Sequence, residues 1–354
     1  MTLNCNVKNQ LQAFLDQIVC ETDNIHNAVM LIEISDFKWK GASGMMNPGE
    51  ELVMDVNDQF FTASVAKMMT ATLALKLMEL GKIQLDDQIH NYLPRSVIEG
   101  LHNYEGQVYG ETITIRQCLN HTTGLGDNWH DNRFMQLILE EPNKFWEPEE
   151  TIEFVKQNIP PHFPPGQGFS YSDINYNLIG LILENVSGKT LQALYRDLLL
   201  DPLGMNHTYR QFREDPRPSI AGRGPSHTYY GDIDYTSWKA LSADWAGGGL
   251  QSTTEDLNRF LRAFVRNEVF IKPATREEMF KWVKVEEDTF YGLGLVRGIF
   301  EENELVEIWG HIGASSCFLF YWPGRDATFC GTFNQVECEG KFSEILPDII
   351  EIIK

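Results

Sequence analysis

Between Phe60 and Ile83 the chain reads FFTASVAKMMTATLALKLMELGKI, with apolar residues at Val65, Met68, Met69, Leu73, Ala74, Leu75, Leu77, Met78 and Leu80. These positions cover most of a helical circumference rather than one stripe, which predicts a helix of about four to five turns buried at the centre of a large protein. Thr62 and Ser64 are helix-capping types at its start, and Gly81 is the stop at its end. Before it, Val7, Leu11, Phe14, Leu15 and Ile18 share one face of an amphipathic helix, and 28–35 and 37–44 read as two strands. After it, strand patterns vanish from 84 to about 220, where amphipathic helical pieces recur at 114–119, 132–139, 149–157, 173–186 and 191–200. Strand patterns return at 247–252, 291–300, 306–309, 315–322 and 328–333, with a turn at Pro323-Gly324-Arg325-Asp326 and helices at 254–266 and 342–353. This order of strands, helices and strands predicts an α+β fold. Residues 1–83 and 241–354 are expected to share one antiparallel sheet flanked by helices, with 84–240 inserted as a mainly helical domain and a cleft between the two.

Composition narrows the classes of partner. Twenty-nine Lys and Arg against fifty Asp and Glu give a net charge of −21, which disfavours nucleic acid and anionic membrane surfaces. No run reaches the roughly 18 apolar residues of a membrane span, and the N-terminus lacks the pattern of a secretory signal, so a cytoplasmic location is expected. Six irregularly spaced cysteines with no C-x-x-C or H-E-x-x-H pattern read as reduced thiols and offer no metal site. A bridge between Cys317 and Cys330 across the predicted hairpin stays open.

Against the apolar helix Lys67 stands out, because a buried ammonium needs a partner or a task. In a helix, positions i and i+3 share a face, so its amine reaches the Ser64 hydroxyl, and the helix N-terminus favours negative charge there. Together these make Ser64 a candidate activated nucleophile. Ser35 and Lys38 repeat the spacing within strand-like sequence, where i and i+3 point to opposite faces. Two further segments can reach a cleft. Pro164-Pro165-Gly166-Gln167-Gly168-Phe169-Ser170 delivers Tyr171 just before a helix that Asp173 can cap. The stretch Trp309-Gly310-His311-Ile312-Gly313-Ala314-Ser315 places glycines where another chain can approach closely.

With these three segments in order, nearly the whole chain resembles the serine β-lactamase and penicillin-binding protein family. The resemblance is to the branch holding class C β-lactamases, D-alanyl-D-alanine carboxypeptidases, D-aminopeptidases and esterases. Ser64-x-x-Lys67 stands at the nucleophile motif, Tyr171-Ser172-Asp173 at the Tyr-x-Asn position and His311-Ile312-Gly313 at the Lys-Thr-Gly position. Residues 119–125, 202–205 and 246–250 resemble that branch's connecting segments. The resemblance implies a β-lactamase/transpeptidase-like fold and an acyl-enzyme on Ser64, with Lys67 and Tyr171 sharing the proton work and no metal or organic cofactor. It also implies an oxyanion hole from the N–H groups of Ser64 and Ala314, and Asp173, His311 and Gly313 against the substrate. On this reading the Lys67 charge draws Tyr171 toward phenolate.

The departures bear on the substrate. His311 is a weak, neutral donor where the family has an ammonium, Ile312 has no hydroxyl, and Asp173 accepts where an Asn amide would donate. All three weaken recognition of a β-lactam carboxylate. The expected function is therefore hydrolysis of a small-molecule ester, amide or short D-amino-acid peptide. A class C-type β-lactamase, an acyltransferase using the same acyl-enzyme and a non-catalytic scaffold are the alternatives. Asp173 has two readings, helix cap or Lys67 partner, and His121 is assigned no chemistry.

Overall fold

The computed structural model describes residues 2–301 and 305–354. The amphipathic pattern at the N-terminus forms α1 (Thr2–Glu21), and the chain then runs through β1 (Asn27–Ile34), β2 (Phe37–Asn47) and β3 (Leu52–Val53). After a 3₁₀ turn at Ala63–Val65 the apolar helix follows as α2 (Ala66–Glu79), and Gly81 beyond it takes the left-handed conformation (φ 69°) that ends the helix. Much later come α3 (Ile174–Ser187), α4 (Thr254–Val265), β4 (Val283–Lys284), β5 (Thr289–Tyr291) and β6 (Val296–Glu301). The chain closes with β7 (Leu305–Ile312), β8 (Phe318–Trp322), β9 (Ala327–Thr332) and α5 (Lys341–Ile353).

These nine strands make one sheet in the order β4-β5-β6-β7-β8-β9-β1-β2-β3, and their pairings are antiparallel. Strand β1 is central and apolar on both faces, as a strand covered on two sides must be. Val29 and Leu31 join Leu319 and Cys330 in a core with Met68 of α2 and Phe260 of α4. Met30 and Ile32 join Phe318, Phe320 and Phe329 in a second core with Leu11 and Leu15 of α1 and Phe342 and Ile349 of α5. The sheet is thus sandwiched, and α2 and α4 both pack on its inner side. Gly310 permits the tight pairing at one end of β7, since a Cβ there would lie 1.9 Å from the Leu319 carbonyl oxygen.

Several sequence expectations need correction. The strand expected over 291–300 is broken into β5 and β6 because the link between them runs against α2. A Cβ on Gly294 (φ 75°) would meet the Lys67 carbonyl oxygen at 2.7 Å and Ala71 Cβ at 2.8 Å. The strand expected at 247–252 shortens to Leu250–Ser252 and pairs with Phe60–Phe61 and Tyr209–Arg210 in a separate small sheet. The interval expected to lack strands also holds the hairpin Asn103–Tyr104 with Gln107–Val108. No bridge joins Cys317 and Cys330. Both thiols are free, and the register sets Leu319 rather than Cys317 opposite Cys330. Among the described residues no helix is long and apolar enough to cross a membrane.

The outer core makes one stability prediction. Phe342 stacks on Phe318 at 4.2 Å and on Phe320 at 5.3 Å, and it holds α5 to the sheet. Truncation of such a ring costs about 3–5 kcal/mol. Phe342→Ala is therefore expected to lower the free energy of unfolding, read from urea denaturation, by that amount, while leaving any chemistry at Ser64 intact in the folded fraction.

Candidate active site

Ser64 sits in the 3₁₀ turn that leads into α2, half-exposed, with Lys67 one turn on and 0% exposed. The residue before the serine, Ala63, holds φ 43°, a left-handed conformation that costs a non-glycine residue about 1–3 kcal/mol and is typical of functional turns. Thr62 does not cap the helix. Its hydroxyl donates to the Leu250 carbonyl at 3.1 Å, tying the turn to the small sheet. From the first turn of α2 the Lys67 ammonium donates to Ser64 Oγ at 3.0 Å and to the Gly247 carbonyl at 2.9 Å, and it forms an ion pair with Asp173. The control motif behaves differently. Ser35 lies in the turn between β1 and β2, and Lys38 pairs with Glu255 at 2.8 Å.

Asp173 occupies the N-cap position of α3, but its side chain makes no cap bond. The carboxylate turns to Lys67 instead, because a fully buried ammonium demands a counter-charge, while the N–H groups of Asn175, Tyr176 and Asn177 already donate to the Ser172 and Asp173 carbonyls. Its own backbone N–H donates to Asp127 at 2.8 Å. Tyr171, two residues earlier and largely buried, lies with its ring centroid 5.1 Å from the Lys67 nitrogen. Burial and the Asp173 charge push its phenol well above the ordinary tyrosine range, while hydrogen bonding to Ser64 acts in the other direction. The expected drift toward phenolate is therefore reversed: Asp173 already answers the lysine charge, and Tyr171 stands as a neutral phenol. Burial pulls the Lys67 pKa down, but Asp173 and Asp244 outweigh it and hold the ammonium above its usual value.

The third motif reaches the serine from β7. A Cβ on Gly313 would lie 2.5 Å from the Thr62 carbonyl oxygen and 3.2 Å from the Ser64 nitrogen, so glycine alone lets the strand end meet the nucleophile turn. Ala314 follows, exposed, and Ser315 Oγ anchors the segment by donating to the Phe61 carbonyl at 2.9 Å. His311 is placed differently from expectation. Its Nδ1 lies 2.6 Å from the Ile312 carbonyl oxygen and its Nε2 2.9 Å from the Tyr291 hydroxyl. A carbonyl only accepts, so Nδ1 carries the proton and Nε2 accepts from Tyr291. Tyr291 in turn accepts from His121 Nε2 at 3.2 Å, and His121 Nδ1 receives the Ser172 N–H and the Asn175 amide, both at 3.2 Å. Both imidazoles are neutral. Burial and the Lys67 charge bring His311 down to about 3 and move His121 in the same direction.

The structure thus gathers Ser64, Lys67, Tyr171, Asp173, Gly313 and Ala314 around one point and turns the ring of His311 inward. Sequence reasoning missed Tyr291, Asp127 and Asp244, and it gave His121 no role although it stacks on Tyr171 at 4.2 Å. The one sequence signal for this neighbourhood was Gly247-Gly248-Gly249. A Cβ on Gly247 would lie 2.7 Å from Asp173 Oδ1, 3.0 Å from Asp244 Oδ1 and 3.1 Å from Lys67 Nζ. Trp146, with Trp129 and Trp238 packed against it, belongs to a satellite core around Phe134.

Comparisons with known proteins bear on the family and the fold. The family model described as Beta-lactamase matches residues 37–347. Penicillin-binding protein 4* of Bacillus subtilis is 25% identical over 339 residues, covering 90% of this chain and 68% of that protein. Protein flp of Staphylococcus aureus is 30% identical over 206 residues, a match that covers 56% of this chain and only 37% of that protein. Among solved structures, the D-stereospecific amidohydrolase of Streptomyces sp. superposes with a TM-score of 0.75 at 26% identity, covering 94% of this chain and 98% of that one. The D-amino acid amidase of Ochrobactrum anthropi SV3, complexed with L-phenylalanine amide, gives 0.80 at 22% identity and 98% coverage of both chains, a likeness of fold.

The neutral histidines set a pH dependence of stability. An unfolded imidazole titrates near 6.5, and His311 in the fold only near 3, so its contribution is intact above about 6.5 and is lost as the pH falls from there toward 3. The melting temperature is expected to decline through this window. His311→Asn should make the decline shallower by up to about 1.4 kcal/mol per pH unit, with His121 accounting for part of what remains. Thermal melts of both proteins from pH 7 to pH 4 check it.

Proposed function

From the premise that this chain belongs to the Beta-lactamase family and is a serine hydrolase, we propose that it cleaves small esters and amides, amino acid amides foremost, through an acyl-Ser64 intermediate. The observation that carries the choice of substrate is the inward commitment of His311. With Nδ1 spent on Ile312 and Nε2 on Tyr291, and with Ile312 lacking a hydroxyl, the third motif presents neither a cation nor a side-chain donor to a substrate carboxylate. The other strong base of the site, Lys67, is already paired with Asp173. Among the described residues of the site, the cations near a β-lactam carboxylate are already committed, Lys67 to Asp173 and His130 to Asp127. The amidohydrolase and amidase neighbours act on amides, in keeping with this choice.

In this reading the substrate carbonyl lies over Ser64, its oxygen received by the N–H groups of Ser64 and Ala314; one such donor is worth about 3 kcal/mol in the transition state. The Ser64 proton passes to the Lys67–Asp173 pair as the Oγ–carbon bond forms. Low local dielectric allows the pair to take it, because amine and carboxylic acid together are a neutral alternative to the ion pair. Tyr171, kept as a phenol, gives its proton to the departing amine or alkoxide as the carbon–heteroatom bond breaks, and it recovers a proton from Lys67. Water then repeats the sequence on the acyl-enzyme. The cleft is formed where the mainly helical domain, 84–240, meets the sheet domain of 1–83 and 241–354.

Two measurements test this. The ratio of short aryl-ester hydrolysis to chromogenic cephalosporin hydrolysis on one preparation is expected to be high and to vanish with Ser64→Ala; a low ratio would return the β-lactamase reading. Tyr171→Phe is expected to lower kcat by about 10²–10⁴-fold, with a greater effect on amides than on activated aryl esters, whose leaving group needs no proton.

A further inference from the structure

Three carboxyl groups, Asp173, Asp127 and Asp244, cluster beside Lys67 through Asp173, and two of them are satisfied. Asp173 pairs with the ammonium itself. Asp127 receives the Asp173 N–H at 2.8 Å on one oxygen and faces His130 Nδ1 at 2.5 Å on the other. The third, Asp244, ends the 3₁₀ turn Lys239–Asp244 and is 8% exposed, and its carboxyl receives no hydrogen bond among the described residues. Its side chain lies along Gly247-Gly248, where Oδ1 converges with Asp173 Oδ1 and Lys67 Nζ on the place a Gly247 Cβ would fill. Arg210 is nearby, but its guanidinium donates to the carbonyls of Gly248, at 3.2 Å, and Trp245. No donor reaches this carboxyl among the described residues, so burial and the neighbouring carboxylates favour its protonated, neutral form. Burial and Asp173 push Asp244 up to about 8, with Lys67 and Arg210 opposing and Asp127 adding to the rise. The Tyr235 phenol is displaced upward by burial and by the Asp244 charge.

We propose that Asp244 receives the cationic amino group of the substrate and so selects amides and esters with an ammonium beside the scissile carbonyl. The proposal rests on the hydrolase reading and deepens it. The geometry fits, because an α-ammonium is two bonds from the carbonyl carbon and that carbon must come within about 3–3.5 Å of Ser64 Oγ. Ser64 Oγ is 3.0 Å from Lys67 Nζ, the atom that shares the Gly247 face with Asp244. Gly247 and Gly248 matter here for want of side chains. A Cβ on Gly248 would sit 1.6 Å from Asp244 Oδ2, so a larger residue would force the carboxylate away. On binding, the ammonium supplies the donor that Asp244 lacks and stabilises its ionised form, so the carboxyl releases its proton to solvent as the complex forms.

The test measures binding separately from turnover. Calorimetric titration of the Ser64→Ala protein at pH 6.5 would use each enantiomer of phenylalanine amide and 3-phenylpropanamide, which has the same skeleton without the amine. At least one enantiomer is expected to bind tenfold or more tightly than the des-amino compound. In Ser64→Ala with Asp244→Asn, that preference should fall to threefold or less. Asp244→Ser provides the same comparison if the Asn protein does not fold. Equal binding of the amine and des-amino compounds, absence of binding by all of them, or a preference that survives both substitutions would overturn the assignment. Loss of the hydrolase reading would show elsewhere, as aryl-ester hydrolysis that persists in Ser64→Ala.

Discussion

The ion pair between Lys67 and Asp173 is the constraint on which the rest of the site depends. Lys67 is completely buried in a helix that is apolar on nearly every side, and an unpaired ammonium there would be untenable. Removing one member of such a pair typically costs about 3–5 kcal/mol, because the other charge is left buried alone. The pair therefore fixes the start of α3 against the start of α2, and with it the position of Tyr171 two residues before Asp173. The Gly247 carbonyl completes the shell of the ammonium and draws the glycine segment into the same place. One cation thus joins elements from three distant stretches of the chain.

A second, neutral network does the same work on the other side of the serine. The run from Ser172 and Asn175 through His121 and Tyr291 to His311 has only one consistent set of donors, because it ends on the Ile312 carbonyl. It links the Tyr171 loop to the strand that leads into Gly313 and Ala314, and so holds these two segments in register. Burial and the nearby Lys67 charge disfavour protonation of either imidazole. The lysine therefore acts twice, by recruiting Asp173 directly and by keeping the histidines neutral at a distance. Its consequence for specificity is a site that offers an anionic substrate no uncommitted cation among the described residues and holds one spare carboxyl at Asp244.

The glycines explain how such crowding is possible. Gly294 passes over the Lys67 carbonyl, Gly313 against Thr62 and Ser64, and Gly247 between two carboxylates and an ammonium. In each case a single methyl group would collide with backbone or with a charged group of the site. The strain at Ala63 belongs to the same economy of space, since the serine is presented at a turn rather than along regular helix. Close approach of backbones, more than any one side chain, brings the three motifs together.

Much of this was legible in the amino-acid sequence. The all-round apolar pattern of 65–80 marked the central helix, the i, i+3 spacing joined Ser64 to Lys67, and strand patterns at both ends of the chain implied one sheet built from distant segments. Local spacing determines these features, because helix and strand geometry fix which neighbours share a face. Only the tertiary structure decided what the charges and rings do. Asp173 had two local readings, cap and counter-ion, and burial of Lys67 selected the second. His311 looked like a donor to substrate until Tyr291, twenty residues earlier, consumed its second nitrogen. Asp244 carried no local signal at all, since its significance is the absence of a partner in a place that folding alone creates. Periodicity reports a residue's face, but desolvation and pairing depend on every element packed around it, and those are known only once the chain has closed on itself.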